Sequence, residues 1–164
     1  MTDRLLVHVI DDEESIRRSA SFFLKTSGYA VRTWESGVRF LREVDRVENG
    51  CILLDIGMPE MDGLTALPLM RKSHPHVPIV MFSSQTIDGA AATMEALARG
   101  AADFFAKPQG NGGLEASRQI IRAELIPSLR ALHAQRRRIQ ERVAASVKSG
   151  VSTKDAGEGS APVS

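Results

Sequence analysis

The sequence predicts a doubly wound α/β fold with a five-stranded parallel sheet, and three observations predict it. Short β-branched or apolar runs alternate with amphipathic stretches from residue 5 to about residue 127. Two of those runs, residues 51–56 and 79–82, are continuously apolar, as strands buried on both faces must be. Each gap between runs has room for one crossover helix, and right-handed crossovers place helices on both faces of a parallel sheet.

The first strand is expected at residues 5–10, followed by a helix with Ile16, Ala20, Phe23, Leu24 and Ser27 on one face. Residues 29–33 predict the second strand, and a short helix follows near residues 38–44. The third strand, 51–56, leads into a helix around 64–72. The fourth, 79–83, leads into a helix over 90–99 closed by Gly100, where helices favour a left-handed residue. Residues 103–106 form the fifth strand, and a fifth helix starts near Leu114. Pro127 interrupts that helix, yet Leu125, Leu129, Leu132, Ile139, Val143 and Val147 recur at spacings of three, four and seven. The helix is therefore expected to kink and continue. From residue 150 the chain turns to Gly, Ser, Thr, Lys, Asp and Pro with little to bury, which predicts a disordered tail over 150–164. The expected organisation is a domain over 1–127, a basic amphipathic helix over 128–149, and that tail.

At 164 residues, with 43% hydrophobic and 25% charged residues, the chain suits one packed domain with an appendage and is neither fibrous nor broadly disordered. No apolar run approaches the roughly 20 residues that span a bilayer, so a cytoplasmic protein without membrane insertion is expected. The single cysteine, Cys51, lies inside an apolar run and reads as a small hydrophobe rather than a nucleophile. Charge is asymmetric: residues 1–127 hold 14 Lys and Arg against 17 Asp and Glu, whereas 128–164 hold 7 against 3.

Ligands of an open parallel sheet bind outside the carboxyl ends of its strands. There the first strand ends in Asp11 and Asp12, the third in Asp55, the fourth in Ser83 with Ser84, and the fifth in Lys107 followed by Pro108. Clustered carboxylates repel one another, so the cluster calls for a cation, and oxygen ligands of this kind suit a magnesium ion completed by waters. Lys107 adds a second positive charge. Together these groups describe a phosphoryl pocket in which Asp55 is the candidate nucleophile for in-line attack on phosphorus. Singly, each residue reads as a helix cap, a turn cap or an exposed lysine; their shared position carries the reading.

At these residues the sequence resembles a response-regulator receiver domain: the acidic pair in VIDDEE, the acceptor in LLDIGMPEMDGL, the hydroxyl in IVMFSS and the lysine in GAADFFAKP. The likeness covers about residues 4–130. It implies a flavodoxin-like fold and transfer of a phosphoryl group to Asp55 from a histidine kinase or histidine phosphotransfer protein. It implies Mg2+ held by Asp12, Asp55 and the backbone carbonyl of Gly57, with Asp11 acting largely through water. Ser83 and Lys107 would bond the phosphoryl oxygens, the peptide before Pro108 would be cis, and Phe104 would be the aromatic switch. Gly57 and Gln85 occupy rate-tuning positions, and kinase specificity falls around Ser15, Arg18, Ser19 and Phe22. Such a domain is not a turnover enzyme; it catalyses only its own phosphorylation and dephosphorylation.

Within the family the likeness is split. The stretch VHVIDDEESIRRSASFFLKTSGYAVRTWESGVRFL is similar to receivers of FixJ-type transcription regulators, whereas the chain from about Met58 is similar to receivers of chemotaxis methylesterases and their linker. No G-x-S-x-G motif follows, and no helix-turn-helix, so neither a methylesterase nor a DNA-binding output domain is read here. A single-domain regulator, the regulatory fragment of a protein-glutamate methylesterase, and a chimera joined near the third strand all fit. A scaffold that keeps the pocket unused fits as well.

Other signals are weaker. His74 and His76 stand close together but read as a solvated, Pro-rich loop; Met58, Met61 and Met70 read as core filling, and Trp34 as packing. The last helix carries Arg130, Arg136, Arg137, Arg138, Arg142 and Lys148 against Glu141. Nucleic acid, an acidic partner or a membrane surface could meet such a helix, but its coiled-coil-like stripe favours a homodimer.

Overall fold

The computed structural model describes residues 4–83, 89–107 and 113–151. Five strands, β1 (Leu6–Ile10), β2 (Ala30–Trp34), β3 (Cys51–Leu54), β4 (Ile79–Ser83) and β5 (Asp103–Ala106), pair in parallel in the order β2-β1-β3-β4-β5. Six helices accompany them: α1 (Glu14–Thr26), α2 (Gly37–Glu43), α3 (Gly63–Ser73), α4 (Gly89–Ala98), α5 (Gly113–Ile120) and α6 (Ile126–Val151). The doubly wound architecture expected from the alternation is present, with element limits mostly within a residue or two.

Alternation along the strands separates two cores. Ile10, Ile52, Leu54, Ile79 and Met81 face Phe40, Leu67, Met70 and Ala96 of α2, α3 and α4. Val7, Val9, Leu53, Val80 and Phe82 face Phe23 and Leu24 of α1 together with Ile121, Leu125 and Leu129. Both central strands are buried throughout β4 and nearly throughout β3, which explains their unbroken apolar runs. Met58 and Met70 are buried and Met61 packs beside them, as core filling requires.

Two prolines open the helical hydrogen-bond ladder, with different outcomes. Pro68 lies inside α3, so the Leu64 carbonyl loses its intrahelical donor; the Arg99 guanidinium donates to that oxygen at 2.8 Å and ties the end of α4 to the start of α3. Before Pro127 the chain makes a π turn over Ile121–Leu125, in which the Ile126 N–H donates to the Ile121 carbonyl. A widened turn thus stands where the kink is expected, and helical structure continues from Gly113 to Val151. The apolar stripe divides there: Leu125 and Leu129 are buried, whereas Ile139, Val143 and Val147 are exposed. The helix also passes the predicted start of the tail at residue 150, and residues 152–164 lie outside the described residues.

Two single-residue readings change, those of His74 and Trp34, while the reading of Cys51 as no nucleophile stands. His74 is no simple solvated side chain, since its Nε2 lies 3.1 Å from the Val44 carbonyl. Cys51 is half-buried at the start of β3, and burial pushes its thiol up to about 12, which leaves it unreactive. Trp34 does more than pack. Its Nε1–H donates to Nδ1 of buried His8 at 3.3 Å, and His8 Nε2–H donates to the Glu48 carbonyl at 2.8 Å.

Those two partners leave His8 one tautomer, the neutral Nε2–H form, because Nδ1 must accept. Burial lowers its pKa, with Arg32 and His74 adding to the effect and the Glu48 carbonyl opposing it. The unfolded chain therefore binds the extra proton first as pH falls. His8 contributes its stability in full above about pH 6.5 and loses it as pH drops through the lower folded pKa. Urea unfolding from pH 7.5 to 5 should show wild type losing up to about 1.4 kcal/mol per pH unit more than His8→Asn.

Candidate functional site

Strand order sets the site. β1 and β3 are neighbours at the centre of the sheet, so the residues that follow them, Asp11 and Asp55, emerge side by side at its carboxyl edge. Backbone bonds hold both in register: Asp11 N–H donates to the Trp34 carbonyl at 3.1 Å and Asp55 N–H to the Ile10 carbonyl at 3.0 Å. Lys107 follows β5, and its N–H donates to the Ser83 carbonyl at 2.7 Å, which fixes the two remaining strand ends to each other. The third strand stops at Leu54, two residues short of expectation, so Asp55 starts the loop.

Lys107 crosses the edge to both acids. Its Nζ lies 2.5 Å from Asp11 Oδ2 and 3.2 Å from Asp55 Oδ1, and all three side chains are about 5% exposed or less. Asp11 Oδ1 also accepts the Glu13 N–H at 2.9 Å. Asp12 is exposed beside them, and one carboxylate oxygen from each of Asp11, Asp12 and Asp55 falls within 4.8 Å of the others. A hard cation fits this set of oxygen donors. Ser83 is buried at the end of β4, and Phe104 is half-buried against the core under α3 and α4. Gly57 is exposed in the loop after Asp55. Gln85 and Pro108, with its expected cis peptide, lie outside the described residues.

Electrostatics follow from burial. Desolvation first, and then the charge of Asp11, push Asp55 up to about 6, while Lys107 and the Gly57 N–H pull the other way. Burial raises Asp11 as well, against its bond to Lys107. For Lys107 burial alone favours the neutral amine, but bonds and charges from Asp11 and Asp55 outweigh it and hold the ammonium above its ordinary range.

The loop that carries Asp55 turns back under it. Gly63 N–H donates to the Ile56 carbonyl at 2.8 Å, Glu60 adopts φ 66°, and Asp62 caps α3 by accepting the Thr65 N–H at 2.7 Å. Gly63 has no spare room: a Cβ there would stand 2.1 Å from the Asp55 carbonyl oxygen. Sequence reasoning passed over this glycine, although its place beside a helix-capping Asp was the available signal. It also passed over Arg17, whose Nη1 donates to the Asp11 carbonyl at 2.7 Å. Arg71 was missed too; it gathers the carbonyls of Val77 and Gly100 at 2.6 Å each and locks the loops before β4 and β5 together.

Three buried charges and a neighbouring hydroxyl at the carboxyl edge of a doubly wound sheet define a class of phosphoryl-handling α/β domain. The chain belongs to the response regulator receiver domain family, whose profile matches residues 7–119. It is 37% identical over 123 residues to a protein-glutamate methylesterase/protein-glutamine glutaminase of Trichodesmium erythraeum, covering 74% of this chain and 35% of that protein. It is 34% identical over 125 residues to the transcriptional regulatory protein FixJ of Azorhizobium caulinodans, covering 76% of this chain and 57% of that one. The response regulator domain of Thermotoga maritima CheB superposes with a TM-score of 0.69 at 31% identity, over 79% of this chain and 97% of that domain. The chain thus spans about a third of the methylesterase it matches, and the match falls on the receiver region. Among the described residues no helix is long and apolar enough to cross a membrane.

Two outcomes follow. Asp55 binds protons on folding between its ordinary 3.8 and about 6, so wild-type stability falls as pH rises through that window and then levels. In EDTA at pH 7.5, Asp55→Asn should be more stable than wild type by about 1–3 kcal/mol in urea denaturation, with that slope removed. Gly63→Ala should cost about 2 kcal/mol or more, because backbone must move to clear the methyl group; thermal unfolding measures it.

Proposed function

We propose that Asp55 is the phosphoacceptor of a two-component phosphorelay, fed by a histidine kinase or histidine phosphotransfer protein. The observation that supports it above others is the Lys107 ammonium placed between the buried Asp11 and Asp55. An Asp55 carboxylate oxygen attacks the phosphorus of a phosphohistidine in line; the O–P bond forms as the P–N bond breaks, and the histidine nitrogen leaves with the electron pair. Lys107 neutralises the added charge, and the Ser83 hydroxyl bonds a phosphoryl oxygen. Asp11, Asp12, Asp55 and the Gly57 carbonyl would hold Mg2+, which supplies positive charge to the phosphoryl oxygens when bound.

Phosphorylation adds about two negative charges at pH 7 and biases an existing equilibrium, with Ser83 and Phe104 as the moving parts. Gly57 and Gln85 tune the lifetime of the acyl phosphate. The donor docks on α1, where Phe22 is 62% exposed and Ser15, Arg18 and Ser19 surround it. On this reading the protein works in the cytoplasm, residues 1–127 are the phosphoacceptor unit, and its only chemistry is its own phosphorylation and dephosphorylation. A second reading rests on the methylesterase relatives: the chain is the regulatory part of such an enzyme. Inhibition of an isolated methylesterase domain added in trans would support that reading, and an unchanged rate would remove it.

Intact-protein mass after incubation with acetyl phosphate and Mg2+ tests the proposal. Wild type should gain one phosphoryl adduct and Asp55→Asn none. An adduct that persists in the variant, or a wild type that takes up neither phosphoryl nor beryllofluoride, overturns it.

A further inference from the structure

Past Leu132, α6 leaves the domain and overhangs the amino edge of the sheet, the end opposite Asp55. Between helix and domain runs a groove of about 590 Å³, with Val77, Pro78 and Ala102 on one wall and Leu132, Ile139 and Val143 on the other. On the α6 wall Leu132 is half-buried while Ile139 and Val143 are 53% and 58% exposed, and Val147, a turn beyond the groove, is 62% exposed. From Leu132 to Val147 the face extends about 22 Å, or four helical turns.

Charge along this face has one sign. Arg136 falls within the apolar stripe, and its Nε is buried with no hydrogen-bond partner among the described residues. Arg71 lines the opposite wall, and among the described lining residues of the groove there is no acid. The single acid of α6, Glu141, lies on the far side of the helix, where it pairs with Arg137 at 3.5 Å.

We infer that this groove docks an acidic amphipathic helix from a partner protein, apolar residues inward and carboxylates against Arg136, whose Nε has no partner among the described residues. Helix-in-groove recognition requires an apolar stripe at helical spacing within a concave wall, and both are present. A second copy of α6, expected from the stripe alone, would bring arginines against arginines with no acid on that face to compensate. A bilayer is flat and cannot follow a groove between helix and domain, and a nucleic-acid duplex offers nothing apolar to meet Val77, Ile139 and Val143. The groove lies at the opposite end of the sheet from the acceptor, so the inference stands apart from the phosphoacceptor reading.

Fluorescence anisotropy of the full chain with two labelled helical peptides of about 18 residues tests it. One carries leucine on one face and glutamate elsewhere; its twin has lysine for glutamate. The acidic peptide should bind, more weakly as salt rises, and the lysine twin should not. Val143→Glu, at an exposed position, should weaken binding about tenfold or more, and Arg136→Glu should shift preference toward the lysine twin. Equal binding of both peptides, binding by neither, or binding unaffected by Val143→Glu overturns the inference. So does a concentration-dependent dimer in sedimentation that Val143→Glu abolishes, because a second copy then covers the face.

Discussion

The ammonium of Lys107 holds the carboxyl edge of the sheet together. Asp11 and Asp55 emerge from adjacent strands because β1 and β3 pair, and without a cation their charges would repel across a few ångström of protein interior. Lys107 reaches them from the far strand, β5, by passing over β4; its Nζ lies 5.9 Å from the centre of the Phe82 ring, and β4 ends in small Ser83. A bulkier residue at the end of β4 would stand in that path. Removing the lysine would leave two buried acids uncompensated, so strand order, the small serine and the length of the lysine are one requirement rather than three.

The same economy appears where proline removes a backbone donor. In α3 the orphaned Leu64 carbonyl finds a side chain from another element, and the first turn of the helix that follows the acceptor loop becomes fastened to α4. Ahead of α6 the backbone itself adjusts, and a π turn carries the chain past Pro127 without a break. One proline has created a tertiary link and the other a change of helical pitch.

Much of this was legible in the sequence because it rests on periodicity and on strand ends. Unbroken apolar runs marked β3 and β4, and the residues after four strands placed Asp11, Asp12, Asp55, Ser83 and Lys107 together before any geometry was known. What escaped was set by backbone approach and by long side chains. Gly63 is dictated by a carbonyl eight residues earlier that comes near only when the loop closes. Arg71 and Arg17 look like ordinary surface arginines until folding brings carbonyl groups to them. His8 alternates with valines in an edge-to-centre strand, and only the arrival of Trp34 and Glu48 shows why a polar ring is tolerated there. Arg136 reads as one more solvated charge until its place in the stripe is seen.

The unbroken helical path from α5 into α6 has a mechanical consequence. Its first part packs on the sheet beside α1 and stays anchored in the core through Leu129 and Leu132, whereas the part of α6 past Leu132 extends for about 28 Å. A tilt of about 5° at that point would carry the tip through about 2.5 Å. Such an arm converts a small rearrangement around β5 into a movement large enough to widen or narrow the cleft beneath it.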